Sequence, residues 1–167
     1  MDFRDFFEKN YTAVYCFAFR MLGTREAAED CAQEAFVRMA GSGAQSLQGD
    51  AARRFLFVVA RNLCLDRFRK RSHGMEVPLD KIPEPASPDS NPSLAAQKNE
   101  REHLIKQAVL ELPPDLREAL ILRAYENMSY AEIGEITGSP PGTVKSRIAR
   151  ARERLRTALK PLLEENT

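Results

Sequence analysis

The chain has no tryptophan, two histidines and three cysteines in 167 residues. Cys16, Cys31 and Cys64 are widely spaced, with no Cys-x-x-Cys and no paired histidine nearby. That spacing argues against metal and disulfide roles and for small buried hydrophobes. No run approaches the roughly 18 uninterrupted apolar residues of a membrane span. The N-terminus opens with Asp2 and Asp5 rather than the basic-then-apolar order of a signal peptide, so a cytoplasmic location without membrane insertion is expected. A Gly-rich phosphate loop, a nucleophile–base pair and a metal-ligand set are likewise missing. The expectation is a protein that is not an enzyme, has no catalytic residues and needs no metal or other cofactor.

What the chain does have is segregated charge, which its net charge of +1 conceals. Residues 1–50 hold five Lys/Arg against eight Asp/Glu, and residues 51–72 hold seven against Asp66 alone. Residues 101–142 turn acidic again, with four against seven. From Lys145 to Lys160 there are seven cations and one acid, Glu153. Two basic stretches separated by acidic ones suggest two DNA contacts and at least one protein contact.

The second basic stretch follows a helix-turn-helix pattern. Ser129 is placed to cap a helix, with Glu132 closing a capping box, Ile133 and Ile136 facing inward, and Gly138 ending it in the left-handed conformation. Ser139 can cap a second helix whose first turn holds Pro140 and Pro141. Val144, Ile148, Ala151 and Leu155 then form a buried stripe at helical spacing. Lys145, Ser146, Ala149, Arg150 and Arg152 are left on the open faces, as in a helix that enters the major groove.

Few segments alternate like strands, so the expected fold is all-α: two small helical domains joined by a Pro-rich linker. The first, residues 1–71, comprises an aromatic helix stopped by Gly23, a second capped by Thr24, a loop from Gly41 to about Asp50, and a long third helix over residues 51–71. Residues 72–97 carry Pro78, Pro83, Pro85, Pro88 and Pro92 among Ser, Asp and Asn, the composition of an extended linker. Residues 98–167 form the second domain, with a helix starting after Pro113 and Pro114 ahead of the helix-turn-helix. Each domain has about 70 residues, enough for a small core with little stability to spare.

In order along the chain stand Ala27-Ala-Glu-Asp-Cys-Ala-Gln-Glu-Ala-Phe36, the segment Phe55 to Phe68, Leu112-Pro-Pro-Asp-Leu-Arg-Glu-Ala-Leu120, Met128 to Ile136, and Gly142 to Leu155. With these blocks the chain resembles a bacterial RNA polymerase sigma factor of the sigma-70 family, in the extracytoplasmic-function (ECF) group. The resemblance implies a region 2 domain that binds core polymerase and the −10 promoter element, and a region 4 helix-turn-helix domain that binds the −35 element.

Asp30, Gln33, Glu34 and Val37 share one face of the second helix, apart from the Cys31/Ala35/Met39 stripe. The resemblance makes this face the core-polymerase contact. On the third helix Arg53, Arg54, Arg61, Arg67, Arg69, Lys70 and Arg71 offer phosphate contacts, which position without reading sequence. By resemblance Asn62 lines the pocket for a flipped −10 base, with the loop of residues 43–50 as its wall. Phe55 and Phe57 are placed as candidate wedges or as core, and the family's frequent Trp is missing at Phe55. For the −35 element the matching positions are Lys145, Ser146, Ala149 and Arg150, with Arg147 and Arg154 as phosphate contacts. Arg150 is suited to bidentate recognition of guanine. Ser129 and Tyr130 are placed to hold a phosphate at a helix N-terminus. An anti-sigma factor is a further partner implied by the resemblance.

Two other classes compete. A conventional dimeric helix-turn-helix repressor or activator needs a palindromic site and leaves the Asp30/Gln33/Glu34 face unexplained. A nucleic-acid enzyme holding metal on Asp30, Glu34 and Asp66 lacks any accompanying ligand motif.

Overall fold

Our computed structural model describes residues 1–72 and 92–165, which are helical and contain no strand among them. The first helix, α1 (Phe3–Leu22), is capped by the Asp2 carboxylate, which accepts from the backbone N–H groups of Arg4 and Asp5. Helix α2 (Arg25–Gly41) is capped by Thr24 and followed by a short 3-10 turn, Ala44–Ser46. Helix α3 (Gly49–Ser72) completes a bundle in which Val14, Phe17, Met21, Leu22, Met39, Leu56 and Phe57 are fully buried. Phe17 and Phe57 meet edge to face with centroids 5.6 Å apart. The buried side of α2 is largely alanine (Ala27, Ala28, Ala32, Ala35), which lets α1 and α3 approach it closely.

Helix α4 (Pro92–Glu111) leads through Pro113 into α5 (Pro114–Ala124), and Pro at the first helical position costs no hydrogen bond there. The helix-turn-helix follows as α6 (Tyr130–Thr137) and α7 (Pro141–Ala158), with a short α8 (Lys160–Glu164) behind it. Most of the expected linker, residues 73–91, lies outside the described residues. Its end differs from expectation, because α4 already begins at Pro92.

The second group of helices packs on the first. Helix α6 lies against α3, and α1 against α4 and α5, so one apolar cluster runs from Val14 and Phe57 through Ala119 and Ile121 to Ile133 and Ile148. Arg117 fastens the junction. Its guanidinium donates to the carbonyls of Met21, Leu110 and Leu112, the last at 2.8 Å, and lies 5.1 Å from the Phe68 ring. Burial, then the nearby Arg71 charge, lowers its pKa to about 10.

Candidate nucleic-acid interface

The turn between α6 and α7 depends on two glycines. Gly138 has φ +67°, a left-handed conformation that a side chain disfavours. Gly134 has an ordinary φ, but a Cβ there would lie 2.5 Å from the Ser139 carbonyl oxygen. That close passage sets the angle between the helices, and an isolated glycine in a helical pattern was its only sequence signal. The capping box forms as expected: Glu132 N–H donates to Ser129 Oγ at 3.1 Å, and Ser129 N–H to Glu132 Oε2 at 2.8 Å. These bonds hold the Glu132 carboxyl below its ordinary range.

Ser139 does not cap α7. Pro140 occupies the cap position and offers no side-chain acceptor. The Ser139 hydroxyl instead accepts from Arg147 Nη1 at 2.7 Å, and Arg147 Nε lies 3.7 Å from Asp115. Arg147, expected at a phosphate, therefore braces the turn against α5 in this conformation. Val144, Ile148 and Ala151 are buried, whereas Lys145, Ser146, Ala149, Arg150 and Arg154 are exposed on the outward faces of α7. Tyr130 is half-buried under the Arg123 guanidinium, 5.1 Å from its ring, while Ser129 is exposed and engaged in the capping box.

The cations of α3 do not form one surface. Their helical angles divide them between two sides. On the first, Arg53 Nη2 lies 2.6 Å from Glu126, Arg54 Nε 3.0 Å from Glu135, and Arg61 2.8 and 3.2 Å from the two oxygens of Glu118. The Glu118 side chain is 2% exposed. Burial raises its pKa and that of Glu126, with the partner arginines opposing. Asn62 is exposed beside this junction and accepts from Arg61 Nη1 at 3.5 Å. Phe57 is core, so the wedge reading fails for it, and Phe55 is half-buried against the same core. The three acidic partners were missed in sequence. Their signal was the acidic character of residues 101–142, which this chain's own basic helix matches.

On its other side α3 borders α2. A groove of about 460 Å³ is lined by Asp30, Gln33, Glu34 and Val37 together with Arg67 and Lys70, so two residues assigned to −10 DNA sit beside the face assigned to polymerase. Arg67 Nη2 lies 3.5 Å from Asp30, and Arg38 pairs with Glu34 at 2.8 Å. Val37 is 65% exposed, a large apolar side chain in a polar surround. Arg69 is exposed and 3.2 Å from Asp66, Lys70 is exposed, and Arg71 is half-buried with its guanidinium 6.0 Å from the Phe68 ring.

This is a pair of helical units with a helix-turn-helix at one end and an acidic, amide-bearing helix face at the other. Residues 6–74 match the model for sigma-70 region 2, and residues 102–155 the model for sigma-70 region 4. The chain is 35% identical over 164 residues to ECF RNA polymerase sigma factor SigW of Bacillus subtilis, an alignment spanning 89% of this chain and 84% of that protein. It is 36% identical over 156 residues to the RNA polymerase sigma-H factor of Pseudomonas aeruginosa, over 87% and 80% of the two chains. Among solved structures it is similar to sigma factor RpoE of Bartonella quintana, crystallised with the anti-sigma factor NepR. That similarity has a TM-score of 0.77 and 29% identity, over 95% of this chain and 97% of the other. The chain belongs to the sigma-70 family of bacterial RNA polymerase sigma factors, in its ECF group. Its function is accordingly promoter-directed initiation of transcription, and the conventional repressor reading is set aside.

Proposed function

We propose that this factor divides its work among three surfaces. The exposed α2 face of Asp30, Gln33, Glu34 and Val37 docks on core RNA polymerase. Lys145, Ser146, Ala149 and Arg150 of α7 enter the major groove of the −35 element, with Arg154 on a phosphate. Arg54, Phe55, Arg61 and Asn62 of α3, with the loop before it, receive the melted −10 strand. The observation that carries the reading is the orientation of α7: its apolar stripe is spent on α5 and α6, and its base-reading positions are all left open. An Arg at the centre of that face supplies about 1–3 kcal/mol of discrimination when bidentate to guanine.

In the conformation described, Arg54 and Arg61 on the −10 side of α3 are paired with Glu135 of α6 and Glu118 of α5 while Asn62 stays exposed, so freeing these arginines for DNA requires the two units to separate. Coupling two weak DNA contacts through one chain raises the effective concentration of the second once the first is made. A covered state of this kind also suits an inhibitory partner, and an anti-sigma factor is proposed as one. The protein acts in the cytoplasm, where polymerase and promoter are, and directs chemistry carried out by the polymerase rather than its own. None of its described helices is long and apolar enough to cross a membrane.

Run-off transcription with purified bacterial core polymerase on a genomic promoter library tests the proposal. Transcripts that require the protein, from starts sharing two upstream motifs, are expected. No dependence on it, with tight binding to palindromic duplex DNA, would restore the repressor reading.

A further inference from the structure

The cysteines that sequence spacing set apart are brought together by the α2–α3 packing. Cys31 Sγ lies 3.7 Å from Cys64 Sγ, and both residues are buried, at 1% and 0% exposure. Both helices bury small side chains, Ala27, Ala28, Ala32 and Ala35 on α2 and Ala52 and Ala60 on α3, which favours close approach. Cys31 Sγ also lies 3.6 Å from the Ala60 carbonyl, to which its thiol can donate. The two sulfurs are not equivalent. Cys31 lines the groove formed with Asp30, Gln33, Glu34 and Val37, whereas Cys64 lies beneath it in the core. A thiolate at Cys31 accepts the Cys64 S–H and feels the Arg67 charge, and its pKa is lowered. That of Cys64 is raised by the same contact and by burial. Cys31 is a buried thiol at the floor of the groove with a second thiol 3.7 Å behind it, the order of a peroxide-attacking sulfur and its resolving partner.

We propose that Cys31 and Cys64 form an oxidisable dithiol site, in which a small peroxide entering the α2–α3 groove converts the pair to a disulfide and so weakens docking of α2 on polymerase. The inference rests on the assignment of the Asp30/Gln33/Glu34/Val37 face to polymerase. In the first step the Cys31 thiolate attacks the peroxide, the O–O bond breaks, and with one proton taken up the products are a Cys31 sulfenic acid and water (or an alcohol from an organic peroxide). In the second, the Cys64 sulfur displaces the sulfenic oxygen, which leaves as water with the thiol proton. Two thiols lose two electrons and the peroxide gains them.

Forming the bridge draws the two side chains together directly beneath the docking face. A disulfide needs its sulfurs about 2.05 Å apart, so from 3.7 Å they must close by about 1.6 Å. Side-chain rotation takes up part of that closure, and the remainder falls on the close-packed α2–α3 contact that positions Asp30, Gln33 and Glu34. Cys31 directly follows Asp30 and lies within one turn of Gln33 and Glu34, so α2 carries the docking face with it.

The test uses the full chain. The protein is treated with hydrogen peroxide, its remaining thiols are alkylated, and non-reducing peptide mass spectrometry locates the bond. Affinity for core polymerase is measured in parallel on reduced, oxidised and dithiothreitol-treated samples. A peptide pair joining Cys31 to Cys64 is expected, with polymerase affinity lowered about tenfold and restored by dithiothreitol. Cys64→Ala is expected to bind polymerase equally before and after peroxide, and Cys16→Ala to behave as the parent, each with its folding checked by circular dichroism. If both thiols still alkylate after peroxide and unfolding, the dithiol site is wrong. A bridge that leaves polymerase affinity unchanged overturns its control of docking. If the reduced protein fails to bind polymerase at all, the docking assignment fails, and the mass-spectrometric result still decides whether the bridge forms.

Discussion

Arg61 donates two hydrogen bonds to Glu118, Nε at 2.8 Å and Nη2 at 3.2 Å, across the junction between the two helical units. The cation belongs to the helix assigned to −10 DNA, and the carboxylate, almost wholly buried, stands where a phosphate would pair. Arg53–Glu126 and Arg54–Glu135 extend the contact along α3. Such pairs specify how two surfaces meet more than they stabilise the contact, because desolvation offsets most of their attraction. The exposed Glu135 carboxylate adds little. Breaking or reversing one buried charge of these pairs is costly all the same, because it leaves its partner unpaired in the junction.

Glu118→Lys replaces the buried carboxylate with a second cation facing Arg61, so that two like charges meet in the junction and neither is paired. The equilibrium is expected to move toward separation of the units. In solution scattering the radius of gyration should rise, and single-stranded −10 DNA from a mapped promoter should bind about 5–100 times more tightly. An unchanged affinity together with an unchanged radius would mean that this pair does not govern access to α3.

The same junction shows where sequence reasoning reached and where it stopped. Helix positions, the capping box and the stripe of Val144, Ile148 and Ala151 follow from periodicity and local chemistry, and each lies where expected. Glu118, Glu126 and Glu135 were visible only as regional acidity, because a pairing across more than fifty residues leaves no local pattern. The seven cations of α3 looked like one surface in sequence, yet 3.6 residues per turn sends Arg54 and Arg61 to one side and Arg67 and Lys70 to the other. Cys31 and Cys64 were set apart for the same reason: sequence separation hides a contact made by helix packing.

Acid should favour the covered form. Burial raises the pKa values of Glu118 and Glu126 above the ordinary glutamate value of 4.5 despite their arginine partners. Their contribution to closure is therefore full below 4.5 and is lost as pH rises through the raised values. Glu132 has the opposite sign: its carboxyl is lowered, so its capping interaction weakens only as pH falls below the ordinary value. Scattering at constant ionic strength should show the chain contracting as pH falls from neutral toward 4.5. The Glu118→Gln/Glu126→Gln double variant should lose that response. Expansion over the same interval would reverse the assigned sign.

On α7, Arg150 and Arg154 separate base reading from phosphate anchoring. Arg150→Ala is expected to cost about 1–3 kcal/mol on the preferred −35 duplex and much less on a mismatched one. Arg154→Ala should weaken both about equally and lower the salt slope of binding by about one. Fluorescence anisotropy on matched and mismatched duplexes at several salt concentrations distinguishes them. Equal losses on both duplexes for Arg150→Ala would move it to the phosphate class.

The α2 face can be tested without touching DNA. Asp30 and Glu34 are exposed, and their cations are Arg67 at 3.5 Å and Arg38 at 2.8 Å, so truncating both to alanine leaves no buried charge unpaired. Surface changes of this kind usually alter stability by less than about 0.5 kcal/mol. Any large effect must therefore come from the partner. A docking surface with two carboxylates around exposed Val37 suits a basic partner face with a small apolar contact at its centre. The Asp30→Ala/Glu34→Ala full-length protein should bind core polymerase at least about tenfold more weakly, while its thermal midpoint and its affinity for a −35 duplex stay at parent values. Holoenzyme assembling normally with the double variant would remove this face from the interface and, with it, the reason for Val37 to be left open to solvent.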